Sequence, residues 1–144
     1  MVKLYDSNKH LNIKKFKQEG FAYFENIDFS KTNDNDLANL LLIEIPEIRF
    51  KKCTFISFNL QKRNVNSKIL FEDCLFLGIL DFSETQFNET ISIKSSSFND
   101  SVLFKNTVFK DVLEFYNNVV KPNTKATALA PGAGIVDNTI AAAI

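Results

Sequence analysis

The sequence is poor in the residues that most site chemistry requires. Its 144 residues include no Trp, one Met, one His, two Cys, three Pro and four Gly. His10 lies far along the chain from Cys53 and Cys74, so no base stands beside a nucleophile and no metal-ligand spacing appears. Two cysteines make no disulfide framework, and both are expected to be small, reduced, buried thiols. A bridge is open to them only if their positions stack. No stretch reaches the roughly 18 apolar residues of a membrane span. Lys3 and Asp6 interrupt the start, so no signal peptide is visible, and a reducing, cytoplasmic setting is the expectation. Net charge is zero, which gives no support to a general nucleic-acid or membrane-surface binder. Gly132-Ala133-Gly134 lacks the downstream Lys and Ser/Thr of a phosphate loop. Glu72, Asp73, Glu84 and Glu89 read as turn carboxylates facing water, not as an acid/base pair. No catalytic, cofactor-binding or metal residue is assigned, and no small-molecule substrate is evident. The expectation is a protein that is not an enzyme and holds no cofactor.

What the chain has is phenylalanine, fifteen copies of it, within a hydrophobic content of 45% that supports a folded core. The Phe residues recur in register. One column at an eleven-residue interval is Phe71, Phe82, Ile93, Phe104 and Phe115; a second is Phe76, Phe87, Phe98, Phe109 and Val120. Two residues before the first column stand Ile69, Leu80, Ile91, Val102 and Leu113. Two before the second stand the small residues Cys74, Thr85, Ser96, Thr107 and Asn118. Residues i−2 and i of an extended chain point to one side. The unit is therefore a short strand with two inward side chains, a polar turn, and another such strand, with spacings that alternate five and six. Helical spacing at i, i+3, i+4 and i+7 is not supplied. An eleven-residue period also fits a right-handed coiled coil, but Phe, Ile, Val, Thr and Ser/Asn/Asp turns argue for strands.

A small residue followed two positions later by Phe or Leu, about every five residues, resembles the pentapeptide-repeat family. The resemblance covers about residues 48–120, including Ile48/Phe50, Cys53/Phe55 and, more loosely, Phe58/Leu60. It implies an all-β chain wound as a short right-handed parallel β-solenoid, a quadrilateral β-helix with four short faces per coil. Two departures stand out. The extra residue in every second unit implies a coil of about 22 residues with a looser cross-section, and Arg63 in an inward slot before Val65 implies a local bulge.

Five segments follow. Residues 1–20 form an N-terminal cap; 21–29 form a first partial coil with the pairs Ala22/Phe24 and Ile27/Phe29. Residues 30–47 are an insertion, a helix opening at Asn35-Asp36 and closing before Pro46, packed on one face or serving as a functional protrusion. Residues 48–120 are the repeats. Residues 121–144 are an apolar, non-repeat tail with one charge after Lys125, Asp137. Its Leu129, Ile135, Val136, Ile140 and Ile144 are interface candidates, covering the last coil or docking into another subunit; fusion sequence is the third reading.

Charge is polarised along the chain. Residues 1–70 carry twelve Lys/Arg against eight Asp/Glu, and residues 71–115 carry three against eight. With the tail, this favours a structural or assembly protein that makes protein–protein contacts and self-associates through its ends. The alternative is a binding module acting on one protein partner. The resemblance supplies an example in family members that mimic duplex DNA and bind type II topoisomerases, with no direct nucleic-acid contact.

Overall fold

An inward small or aliphatic residue, an outward residue and an inward Phe make a strand segment too short to fold alone, so its stability must come from stacking on neighbours. The fold, taken from a computed structural model that describes residues 2–120 and 134–135, is mostly short strands in parallel sheets, with three short helices among the described residues.

The chain opens with β1 (Lys3–Leu4), α1 (Ser7–His10) and α2 (Ile13–Glu19), then β2 (Phe21–Glu25), β3 (Ile27–Asp28) and α3 (Asp34–Leu41). Next come β4 (Glu47–Lys51), β5 (Thr54–Phe55), β6 (Phe58–Asn59) and β7 (Asn64–Val65), then β8 (Lys68–Glu72), β9 (Leu75–Phe76), β10 (Leu80–Asp81) and β11 (Gln86–Phe87). The series repeats in β12 (Ile91–Lys94), β13 (Ser97–Phe98), β14 (Val102–Leu103) and β15 (Val108–Phe109). It ends in β16 (Val112–Tyr116), β17 (Val119–Val120) and β18 (Gly134–Ile135). Each group of four strands visits four sheets in one order. Sheet I is ordered β18-β16-β12-β8-β4-β2, sheet II β1-β3-β5-β9-β13-β17, sheet III β14-β10-β6 and sheet IV β15-β11-β7. Each sequence column thus splits in space: the Phe71 column alternates between the sheet I side and the sheet III side, and the Phe76 column between sheets II and IV.

Ile69, Ile91 and Leu113 are lateral neighbours, and so are Phe71, Ile93 and Phe115, so successive passages are offset by 22 residues. The backbone at the corners explains the alternation of five and six. Asn26, Lys52, Lys62, Asp73, Glu84, Ser95, Asn106 and Asn117 have φ between 53° and 63°, and all lie at the sheet I–II or III–IV corners. These left-handed corners lie within the five-residue spacings, as Asp73 does between Phe71 and Phe76; the sixth residue falls at the other two corners, such as Leu77-Gly78-Ile79 between Phe76 and Phe82, which turn without a left-handed residue. From Lys62 onward the left-handed positions recur every eleven residues.

The one irregularity falls elsewhere than at Arg63. Ile48 pairs with Ile69, an offset of 21, whereas Phe58 pairs with Leu80, an offset of 22. The missing residue is therefore between Phe55 and Phe58, where Ile56-Ser57 replaces the three-residue corner Leu77-Gly78-Ile79. The shortened corner brings backbone against Gly78: a Cβ there would collide with the Ile56 carbonyl oxygen and lie 3.1 Å from its carbon. At Arg63 the corner is regular, with Arg63 N–H donating to Leu60 O at 3.0 Å as Thr85 N–H does to Phe82 O at 3.1 Å. The expected bulge is absent. The Arg63 side chain is exposed because the preceding passage has no strand in sheet IV beneath it.

Helix α3 stands where the sheet III and IV strands of that first passage would be. It packs on β6 and buries Leu37, Leu40 and Leu41. It begins at Asp34, one residue earlier than the Asn35-Asp36 expectation, because the Asn33 side chain caps it by accepting from Asp36 N–H at 2.9 Å. At the N-terminal end, Phe16 of α2 lies edge-on to Phe24 at 5.8 Å and Tyr5 packs on Phe29 at 4.7 Å, covering the first rings.

Of the expected tail, only Gly134–Ile135 is among the described residues. Gly134 pairs with Val112 and Ile135 with Leu113, again 22 residues on. Expected as non-repeat, the tail returns to the repeat register at these two residues, since parallel pairing with β16 needs backbone groups and not a Phe.

Candidate functional site

The inward columns form the core. Phe71, Phe76, Phe82, Phe87, Ile93, Phe98, Phe104 and Phe115 are buried; Phe109 is only half-buried because its strand, β15, is the edge of sheet IV. Rings stack along the axis: Phe29, Phe55, Phe76 and Phe98 follow one another at 5.0, 5.2 and 4.8 Å, with interplanar angles of 5–18°. The small column ties the passages together. Thr85 Oγ1 donates to Leu60 O and Thr107 Oγ1 to Phe82 O, both at 2.6 Å, while Asn118 Nδ2 donates to Ile93 O at 2.9 Å. Each bond satisfies a buried hydroxyl or a half-buried amide with a carbonyl from the preceding passage.

Cys53 and Cys74 occupy successive places in this column, beside the paired residues Thr54 and Leu75. Both are buried and free. Their Sγ atoms donate to the Phe24 and Phe50 carbonyls at 3.3 and 3.4 Å. Burial pushes the Cys74 thiol well above its ordinary pKa, and its hydrogen bond with Cys53 adds to the shift. A protonated thiol in a packed column is a poor nucleophile.

Two surface features remain. The first is a cleft of about 1300 Å³ between the N-terminal segment and α3, lined by Tyr5, Asp6, His10, Asn33, Asp36 and Leu40 among others. His10 stacks on Tyr5 at 5.8 Å and accepts the Asp6 N–H at Nδ1 over 2.9 Å. Burial, then Asp36 and Asp6, raise the Tyr5 pKa, so its phenol stays a donor. His10, which the sequence leaves isolated, is thus a wall of this cleft, whereas both thiols are buried in the core.

The second is the outer face and free edge of sheet I, the sheet with the longest strands. Its outward residues form lateral columns, and Glu25, Lys51, Glu72, Lys94 and Tyr116 make one of alternating charge, with Lys94 Nζ 3.8 Å from Glu72. Glu72 was expected in a turn; it sits on strand β8 in this column. Asp73, Glu84 and Glu89 are exposed as expected. On the outer face of sheet I, Phe21, Tyr23, Arg49, Phe50, Lys51, Leu70 and Glu72 line a shallow depression of about 250 Å³. Arg49 donates to Glu47 at 2.7 Å, and its guanidinium carbon lies 5.8 Å from the Phe21 ring centre.

Sheet I ends at β2. In the β2–β4 ladder the N–H and C=O of Ala22 and Phe24 face β4, as does Asn26 N–H, which donates to Lys51 O at 3.0 Å. The backbone groups of Phe21, Tyr23 and Glu25 therefore point away from the sheet, and no partner for them occurs among the described residues. Their side chains are exposed, Phe21 by 39% and Tyr23 by 45%. The sequence shows the aromatic residues here but gives no sign that this strand is an edge. Of the tail candidates, Leu129, Val136, Ile140 and Ile144 lie outside the described residues, as does the Ile135 side chain.

No family model matches this chain, and no significant match was found among curated proteins or solved structures. Among the described residues no helix is long and apolar enough to cross a membrane.

Proposed function

We propose that this chain is a short right-handed β-solenoid of the pentapeptide-repeat type and acts as a structural protein, making protein–protein contacts and self-associating through its ends. The observation that carries the reading is the five-residue edge of β2, which presents unpaired backbone groups and the exposed Phe21 and Tyr23 together. Natural sheets blunt such edges with Pro, Lys, bulges or a covering element, because an open edge recruits another strand; β2 has no Pro or Lys and no bulge. The core supports a scaffolding role as well, since its polar groups are spent on the passage-to-passage hydrogen bonds of Thr85, Thr107 and Asn118. The reading as a DNA-mimicking topoisomerase binder has less support, because the longest face alternates Glu25, Lys51, Glu72 and Lys94 instead of presenting continuous negative charge.

Sedimentation velocity over a wide protein concentration range tests the proposal. The expected result is a mass that rises with concentration above the 16.4 kDa of one chain. A sharp monomer throughout would overturn self-association.

A further inference from the structure

We infer that the free edge of β2 is the acceptor for the apolar segment 136–144 of a second copy, which joins molecules head to tail. The inference rests on the self-association proposed above and specifies its contact. Reach decides between the chain's own segment and a neighbour's. Strand β18 is the edge of sheet I opposite β2, five strand spacings away in the six-stranded order. At ~4.8 Å per spacing that is about 24 Å. Fully extended, residues 136–144 span about 30 Å at ~3.3 Å per residue. Returning to its own β2 would leave about two residues to pair with a five-residue strand. A second copy stacked end to end puts its β2 directly beyond β18, and the segment then crosses without that journey.

Side-chain size fits the same assignment. An added strand alternates inward and outward residues. The inward space below Ala22 and Phe24 is already occupied by Phe16, which is buried against Phe24, so inward positions there accept only small side chains. Thr139-Ile140-Ala141-Ala142-Ala143-Ile144 supplies Ala141 and Ala143 inward and Ile140, Ala142 and Ile144 outward, with Ile140 next to the exposed Phe21 ring. The segment after Asp137 carries no charged side chain that would need to stay in water. The contact joins different surfaces of the two copies, so it propagates into a filament or closes into a ring.

Tyr23→Pro provides the test on the acceptor side. It removes an N–H that β4 does not use and blocks only an incoming strand. On the donor side, Ala141→Lys/Ala143→Lys puts bulk and charge at the inward positions. Each full-length variant alone is expected to sediment as a monomer with the wild-type circular-dichroism spectrum. In a mixture of the two, the intact β2 edge of the lysine variant can accept the intact segment of Tyr23→Pro, while the blocked edge and the lysine-bearing segment have no partner, so the mixture should form a complex of one copy of each and stop there. In the wild type, assembly should slow amide hydrogen exchange at Phe21, Tyr23 and Glu25 while leaving Ala22 and Phe24 as they were. That alternation arises from strand addition and not from general burial, and it decides the matter even if Tyr23→Pro fails to fold. Wild-type protein that assembles while both variants assemble equally, or without the exchange alternation, overturns the β2 assignment and leaves self-association standing. Wild-type protein that remains monomeric overturns both.

Discussion

The interior of the stack and its corners obey the same eleven-residue period for different physical reasons. Inside, the period is enforced by side-chain volume: Phe29, Phe55, Phe76 and Phe98 repeat because a ring must lie on a ring about 5 Å away. At the corners it is enforced by the backbone. Asn26, Lys52, Asp73, Ser95 and Asn117 share a φ near 55° at one corner of successive passages, yet their side chains have no chemistry in common. A position can therefore be invariant in conformation and variable in sequence, and the reverse holds in the core.

The largest effect belongs to the interior. Phe98 is buried with its ring stacked on Phe76 at 4.8 Å and on Phe115 at 5.6 Å. Phe98→Ala is expected to destabilise by ~3–5 kcal/mol. Phe109→Ala, on the edge strand of sheet IV and half-buried, should cost about half as much by the area it removes from water. Urea denaturation of both variants checks this; equal losses would mean that ring stacking, and not burial, sets the cost.

A middle effect comes from the corner that lost a residue. Gly78 has an ordinary backbone conformation, so its requirement is space alone: the Ile56 carbonyl stands where a Cβ would go. Gly78→Ala should destabilise by ~1–3 kcal/mol, the range for overpacking. Inserting one residue between Ile56 and Ser57, which restores the length of the Leu77-Gly78-Ile79 corner, should make Gly78→Ala tolerable. Thermal melts of the single and combined variants read this out, and additive losses would refute the link between the short corner and the glycine.

These contrasts explain what could be read from the chain. The inward columns were legible because burial of Phe71, Phe87 or Phe98 leaves a signature in residue type. The shape of the corners was not, since Lys52, Asp73 and Ser95 reach one conformation from unrelated side chains. Arg63 looked like a fault in the core because its position is inward in every later passage; that it lies over a place with no sheet IV strand depends on α3, whose course is set by packing on β6. Likewise β1 pairs with β3 through Lys3 and Leu4, which carry no trace of the repeat. Gly134–Ile135 rejoins sheet I through backbone pairing where the Phe pattern has ended. The free edge of β2 was hidden for the same reason. Whether a strand has a neighbour is a property of topology, and Phe21-Ala22-Tyr23-Phe24-Glu25 reads identically with one neighbour or two.

The smallest effect tests the corner rule itself. Lys52 is exposed, has φ 54° and makes no ion pair among the described residues. A Lys in the left-handed region crowds its Cβ against the following carbonyl, whereas Asn visits that region readily. Asn already occupies the equivalent corner at positions 26 and 117. Lys52→Asn should therefore stabilise the protein by a few tenths of a kcal/mol, up to about 1, through local conformational preference alone. Lys51→Asn, one residue earlier on the strand, is the control: its backbone is extended, Asn is a poor strand residue, and the change should be neutral or unfavourable. Opposite signs at adjacent lysines would establish that the corner selects backbone conformation. If both substitutions were unfavourable, the lysine side chain at position 52 would itself be contributing to stability, and the corners would be subject to side-chain selection as the interior is.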